Sequence, residues 1–162
     1  MNNLSNLYIR KFNEKDAESC SEMIFSTIEI SLSEAYSTEQ RDFLKKGVKA
    51  EVLSKKANED YVIVVQKDDH PVGIALLREN YISKVYVKPE IQGKGLGRIL
   101  MTILEKRAET RQHKEIILDS FLNSVGFYAK IGYQELPEQE QPPNHGLKIV
   151  RMKKTLAENP EI

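Results

Sequence analysis

Apolar residues along the chain follow two periods, and the changes from one to the other divide it into elements. Residues 7–10 are short, apolar and β-prone and predict a first strand. Ala17, Cys20, Ile24 and Ile28 then fall on one helical stripe, with Asn13 and Asp16 spaced as a capping box in front of it. The periodicity breaks over residues 29–36, which read as a polar loop. Ser37-Thr38-Glu39-Gln40 opens a second helix that carries Phe43, Leu44, Val48 and Val52, with Gly47 as its weak point. The β-branched run at residues 61–65, the turn chemistry of residues 67–71 and the alternation of Val72, Ile74 and Leu76 predict an antiparallel hairpin. Glu79 and Asn80 turn the chain into one more strand, residues 81–87, closed by Pro89.

After that strand the period changes abruptly. Leu96, Ile99, Leu100, Ile103 and Leu104 stand at i, i+3, i+4, i+7 and i+8, one face of a helix, and Gln92-Gly93-Lys94-Gly95-Leu96-Gly97-Arg98 joins strand to helix. A helix start carries amide hydrogens without intrahelical partners and roughly half a positive charge from the dipole. Gly93, Gly95 and Gly97 present no Cβ to hold a ligand off the backbone, and Lys94 and Arg98 add full positive charge. The turn is built for a phosphate or pyrophosphate. It is not a P-loop, since no Ser or Thr follows Lys94, and it is not GxGxxG, since Leu96 or Arg98 stands where the third glycine belongs. What remains is Q-x-x-G-x-G, on Gln92, Gly95 and Gly97, after Val85-Tyr86-Val87-Lys88-Pro89. In these residues the chain resembles the GNAT acyltransferase superfamily, whose pyrophosphate loop reads [QR]-x-x-G-x-[GA] after a V-x-V-x-P-like strand end.

Downstream, the charged residues 109–115 lead to an apolar run, Ile116-Ile117-Leu118, which predicts a strand parallel to residues 81–87 across a right-handed helical crossover. Asp119 and Ser120 are read as the cap of a further helix reaching Ile131 and stopped by Gly132. This segment carries a second resemblance to the same superfamily: a helix containing Phe127-Tyr128, with Gly132-Tyr133 following. Pro137, Pro142 and Pro143 mark an exposed loop, residues 147–152 a last strand, and residues 155–162 a frayed tail.

Composition narrows the function. The chain of 162 residues is expected to form one domain, 1–162. Lys and Arg number 24, as do Asp and Glu, so no global field favours nucleic acid or an anionic membrane. Cys20 has no cysteine to pair with and reads as a buried structural thiol. There is no run near the ~18 apolar residues of a membrane span and no leader-like start, so the expected location is the cytoplasm.

The resemblance implies more than these patterns do. It implies an α/β (α+β) fold: a mixed, mostly antiparallel sheet of six to seven strands with about four helices, its central parallel pair splayed at the cofactor site. Acetyl-CoA would be the co-substrate, with no metal. Its pyrophosphate would lie on Gln92, Gly93, Lys94, Gly95, Leu96, Gly97 and Arg98, and its pantetheine arm along Val85, Tyr86 and Val87, with Asn123 a further contact. Tyr128 matches the family's general acid for the departing thiolate. Glu29, Glu34 and Tyr36 belong to the region that covers the acceptor in this family, and Glu29, Glu34 and Glu79 are the candidate bases. The expected reaction is transfer of an acetyl group to a primary amine of a small molecule or protein; the alternative is a catalytically silent CoA-binding module. A homodimer is compatible with both.

Overall fold

The computed structural model describes residues 5–143 and 146–157. Among them, seven strands form a single mixed sheet: β1 (Leu7–Lys11), β2 (Tyr61–Lys67), β3 (His70–Arg78), β4 (Tyr81–Val87), β5 (Glu115–Phe121), β6 (Gln134–Glu135) and β7 (Ile149–Thr155), in the order β1-β2-β3-β4-β5-β7-β6. Helices α1 (Ala17–Ser31), α2 (Thr38–Lys46) and α3 (Ala50–Glu59) pack with one face of the sheet, and α4 (Leu96–Thr110) and α5 (Val125–Lys130) with the other. Each face therefore has its own core. Ile24, Ile28, Leu53, Ile74 and Leu76 meet in the first, and Leu100, Leu104, Ala75, Ile116 and Leu118 in the second. No helix among the described residues is long and apolar enough to cross a membrane.

Several elements depart from their predicted bounds for identifiable reasons. The second helix is two helices: Gly47 ends α2, and Val48, fully buried, plugs the corner before α3. Helix α1 does not stop before Glu29 but runs to Ser31, so Glu29 is helical. Asp119 and Ser120 cap no helix. They continue β5, because β7 offers partners as far as Ser120 with Val150 and Phe121 with Ile149. The following helix accordingly begins only at Val125. β7 extends to Thr155 and Leu156 is buried, so ordered chain enters the segment read as a tail; residues 158–162 lie outside the described residues.

The parallel pair is the feature that shapes the site. β4 and β5 pair only at Tyr81 with Ile117 and Ile82 with Leu118, after which the strands part. Asp119 braces the parting point: it accepts hydrogen bonds from Arg151 at 2.7 and 2.9 Å and from the Tyr81 hydroxyl at 2.7 Å. Burial pushes the Asp119 carboxyl up, but the bonds from Arg151 and Tyr81 outweigh it and leave the group below its ordinary range. On its other edge β4 pairs with β3, with a bulge at Ser83 between the pairs Ile82–Leu77 and Lys84–Leu76. The bulge reverses the alternation of side chains. Ile82 and Val85 thus share the α4–α5 core, while Tyr86 lies in the core under α1–α3.

Lys84 is the cost of that reversal. It is largely shielded from solvent on β4, and neither a hydrogen bond nor an ion pair links its ammonium to another described residue. Burial, followed by the nearby charge of Lys56, pushes its pKa down to about 8. Between about pH 8 and 10.5 the folded protein has lost a proton that the unfolded chain retains, so stability rises with pH across that window. Replacing Lys84 by Met is expected to stabilise the protein by roughly 2 kcal/mol at pH 7. The gain should shrink toward zero by pH 10.5, as measured by urea unfolding of both proteins at a series of pH values.

Candidate active site

The connection from β4 to α4 starts with Lys88 and a single tight helical turn, Pro89–Ile91, whose Ile91 is buried as an anchor. Gly93 at φ 77° and Gly95 at φ 91° then take left-handed conformations that a side chain would strain. Gly95 is the N-cap of α4 and offers no side-chain acceptor, so the first amides of that helix remain available. No acidic residue occupies the first turn, and neither Lys94 nor Arg98 is ion-paired among the described residues. Gly97 has a different reason: a Cβ there would come within 3.1 Å of the Phe127 ring, where α5 closes on α4.

This loop is one wall of a cleft of about 330 Å³. Val85, Tyr86 and Val87 form a second wall, α1 contributes Thr27, Ser31 and Leu32, and Phe121, Asn123, Ser124, Phe127 and Tyr128 complete it. Some peptide groups of the strand wall are free of sheet pairing. The Lys88 amide donates to Val72 at 2.8 Å, on the same alternation as the Tyr86–Ile74 pair, so the main chain of Val85 and Val87 turns toward the side from which β5 has departed.

Of the residues singled out from sequence, Val85, Tyr86, Val87, Gln92, Gly93, Gly95, Gly97, Arg98, Asn123 and Tyr128 all line this cleft. Leu96 is buried in the core beneath the loop, leaving its backbone as its contribution, and Lys94 stands in the loop outside the lining. Gln92 has a bracing role that the motif did not reveal: its amide donates to the Val87 carbonyl at 2.7 Å and to the Ser31 hydroxyl at 3.1 Å. Asn123 donates to the Ser31 carbonyl at 2.9 Å. Ser31 therefore ties the end of α1 to both sides of the cleft mouth, a role that nothing in its local sequence announces.

Tyr128 is 9% exposed and packed edge-on between Phe127 and Tyr133, with ring centroids 5.1 and 5.8 Å away. Its hydroxyl makes no hydrogen bond to another described residue, and burial pushes the phenol up to about 12. The acceptor-side residues are placed differently. Glu29 accepts a hydrogen bond from Lys45 at 2.5 Å, which, with Arg41 nearby, holds its carboxyl below the ordinary range. Glu34 is exposed in the turn after α1. Tyr36 is 3% exposed, with its hydroxyl donating to Lys148 O at 2.6 Å and accepting from the Leu122 amide at 3.1 Å. None of the three lines the cleft. Glu79 sits in the β3–β4 turn beside His113, at the other end of β4.

A parallel pair opened beside an uncapped glycine helix start makes a cleft suited to a phosphate-bearing ligand, and comparison with known proteins gives the family. The acetyltransferase (GNAT) domain family matches residues 32–156, and the chain belongs to that family. An uncharacterized N-acetyltransferase of Bacillus subtilis, YjcF, is 31% identical over 115 residues, which cover 67% of this chain and 82% of that protein. Among solved structures, a GCN5-related N-acetyltransferase from Rhodopseudomonas palustris superposes with a TM-score of 0.84 at 25% identity, covering 94% of this chain and 97% of the other. The PaiA N-acetyltransferase of Thermoplasma acidophilum, solved with coenzyme A, does so with a TM-score of 0.79 at 23% identity over 92% and 98%.

The double engagement of Tyr36 makes it a structural strut of the cleft. Replacing it by Phe leaves the Leu122 amide and the Lys148 carbonyl without their partner and is expected to cost about 1–3 kcal/mol in chemical denaturation.

Proposed function

We propose that the protein is an N-acetyltransferase that moves an acetyl group from acetyl-CoA to a primary amine of a small molecule or a protein. The observation that carries this reading is the presence, in one cleft, of uncapped amides at the start of α4, unpaired peptide groups on β4 and an unpartnered tyrosine hydroxyl. The diphosphate of coenzyme A fits the first, because the left-handed glycines turn the loop without side chains in the way and Lys94 and Arg98 supply countercharge. A pantetheine arm fits the second: it needs hydrogen bonds of the kind β5 would otherwise have made. The Val87 end of β4 can then donate to the oxyanion formed when the amine attacks the thioester, a type of contact worth roughly 3 kcal/mol.

Tyr128 serves the leaving group. The amine nitrogen bonds to the carbonyl carbon and gives its surplus proton to solvent, the carbon–sulfur bond breaks, and the Tyr128 hydroxyl hydrogen-bonds to the thiolate. With the phenol pushed up to about 12, complete transfer to a thiolate whose conjugate acid lies near 8.5 is uphill by about 5 kcal/mol. The hydroxyl therefore acts chiefly as a fixed donor while charge develops, and it remains protonated throughout the physiological range.

Calorimetry with coenzyme A is expected to give one site per chain. Gly95→Val, which forces a β-branched residue to φ 91°, should weaken that binding at least tenfold. Tyr128→Phe should bind coenzyme A as the wild type does and lower kcat by 10- to 100-fold in a thiol-release assay over a panel of amines. Binding without release on any amine would instead identify a silent CoA-binding module.

A further inference from the structure

β4 presents its side chains to opposite faces of the sheet, and two tyrosines from opposite faces line the space where the sheet is open. Tyr128 belongs to the core under α4 and α5, and Tyr86 to the core under α1–α3. An intact sheet would keep them apart. Because β4 and β5 separate after Ile82 and Leu118, both line the main cleft, and both also line a smaller void of about 60 Å³ between the strands.

The Tyr86 hydroxyl has no structural explanation. It is 7% exposed, yet it makes no hydrogen bond to any described residue. It is also absent from the sealed, unpartnered side-chain atoms, Arg41 Nε, Asp60 Oδ2 and Ser83 Oγ, so its oxygen reaches open space. Its neighbour across Phe121 makes the contrast. Phe121 packs 5.6 Å from Tyr36 and 6.2 Å from Tyr86; the Tyr36 hydroxyl is spent on two main-chain groups, whereas the Tyr86 hydroxyl is spent on none. The Tyr86 ring is buried while its oxygen opens into the cleft with no protein partner, so the hydroxyl is available to a group bound there. Phe121 holds the ring in place, and the oxygen faces the cleft.

We propose that Tyr86 is a second catalytic residue, whose hydroxyl accepts a hydrogen bond from the acceptor amine and orients its lone pair toward the thioester from the α1–α3 side, opposite Tyr128. This rests on the acetyltransferase reading above. The carbon–nitrogen bond forms and the carbon–sulfur bond breaks, the amine's surplus proton leaves to solvent, and CoA departs as the thiolate hydrogen-bonded by Tyr128 and takes its proton from solvent. Around Tyr86, Lys84 stands two residues back on the same strand, Asp119 is held by Arg151 and Tyr81, and Tyr128 faces it across the gap. Burial and the proximity of Tyr128 push the Tyr86 phenol upward, so it orients the amine without taking its proton.

The test is Tyr86→Phe in the full chain, with thiol release measured from acetyl-CoA using hydroxylamine and a panel of primary amines. The expected result is a 10- to 100-fold fall in kcat/KM for the acceptor. The calorimetric affinity for coenzyme A, the KM for acetyl-CoA and the shape of the pH profile should be unchanged, and the unfolding midpoint unchanged or slightly raised. Acceptor kcat/KM within twofold of the wild type overturns the inference while leaving the acetyltransferase reading in place. A clear drop in unfolding midpoint also overturns it, because the hydroxyl would then have a structural partner. Absence of turnover in a wild type that binds acetyl-CoA removes the acetyltransferase reading itself, and the role of Tyr86 with it.

Discussion

Everything of functional interest here follows from a hydrogen-bond ladder that stops early. Parallel strands joined by a helical crossover normally pair along their length, since each unpaired peptide group buried in a sheet costs free energy. β4 and β5 keep two residue pairs and then diverge. The Tyr81–Asp119–Arg151 cluster stands at the last paired positions, and β7 pairs with β5 along its whole length, so β5 is held away from β4 instead of being free to close on it. The unpaired edge of β4 is then a permanent, directional set of donors and acceptors inside a folded protein.

The two cores make that opening usable. α4 rises from the glycine loop on one face, and its N-terminal amides point toward the same space that the β4 edge faces. On the other face α1 ends at Ser31, which receives Gln92 from the loop and Asn123 from the segment after β5. Loop, strand and helix end are thus fastened to one another by side chains with no charge, leaving Lys94 and Arg98 uncommitted beside the glycines. Electrostatic attraction and geometric definition come from different residues, which allows the loop to be both rigid and unneutralised.

Strands β1–β5 and β7, α4 and the glycine loop were legible because local pattern and tertiary role agree there: the switch from a strand period to a helical one, and a spacing of Gln92, Gly95 and Gly97 with few alternative uses; the two-residue β6, defined only by its pairing with β7, was not. The position of Tyr128 in the cleft was legible for the same reason, through the spacing of Phe127-Tyr128 to Gly132-Tyr133. The failures lie where a distant partner decides. Asp119 and Ser120 have the local chemistry of a helix cap, but β7 and Arg151 claim them for a strand. Glu29 looked like part of a loop, yet Lys45 and Arg41 from α2 give it partners on the helix. Tyr36 was grouped with the acceptor region, and its bonds to Lys148 and Leu122 join residues 112 and 86 positions away, which no local pattern encodes. Ser31 and the bulge at Ser83 left no trace in the sequence for a related reason: each is defined by what lies across from it.

The extra residue in β4 acts like a half-twist in a ribbon. Ile82 and Tyr86 stand an even number of positions apart and would share a side in a regular strand, but Ser83 places them on opposite sides. The chemical character of Ser83 contributes little to this, since its hydroxyl is unpartnered; its presence as a spacer contributes everything. This position should therefore tolerate exchange for other small residues, whereas its deletion would carry every side chain on one side of it to the wrong layer. The length of this strand is under tighter constraint than its composition.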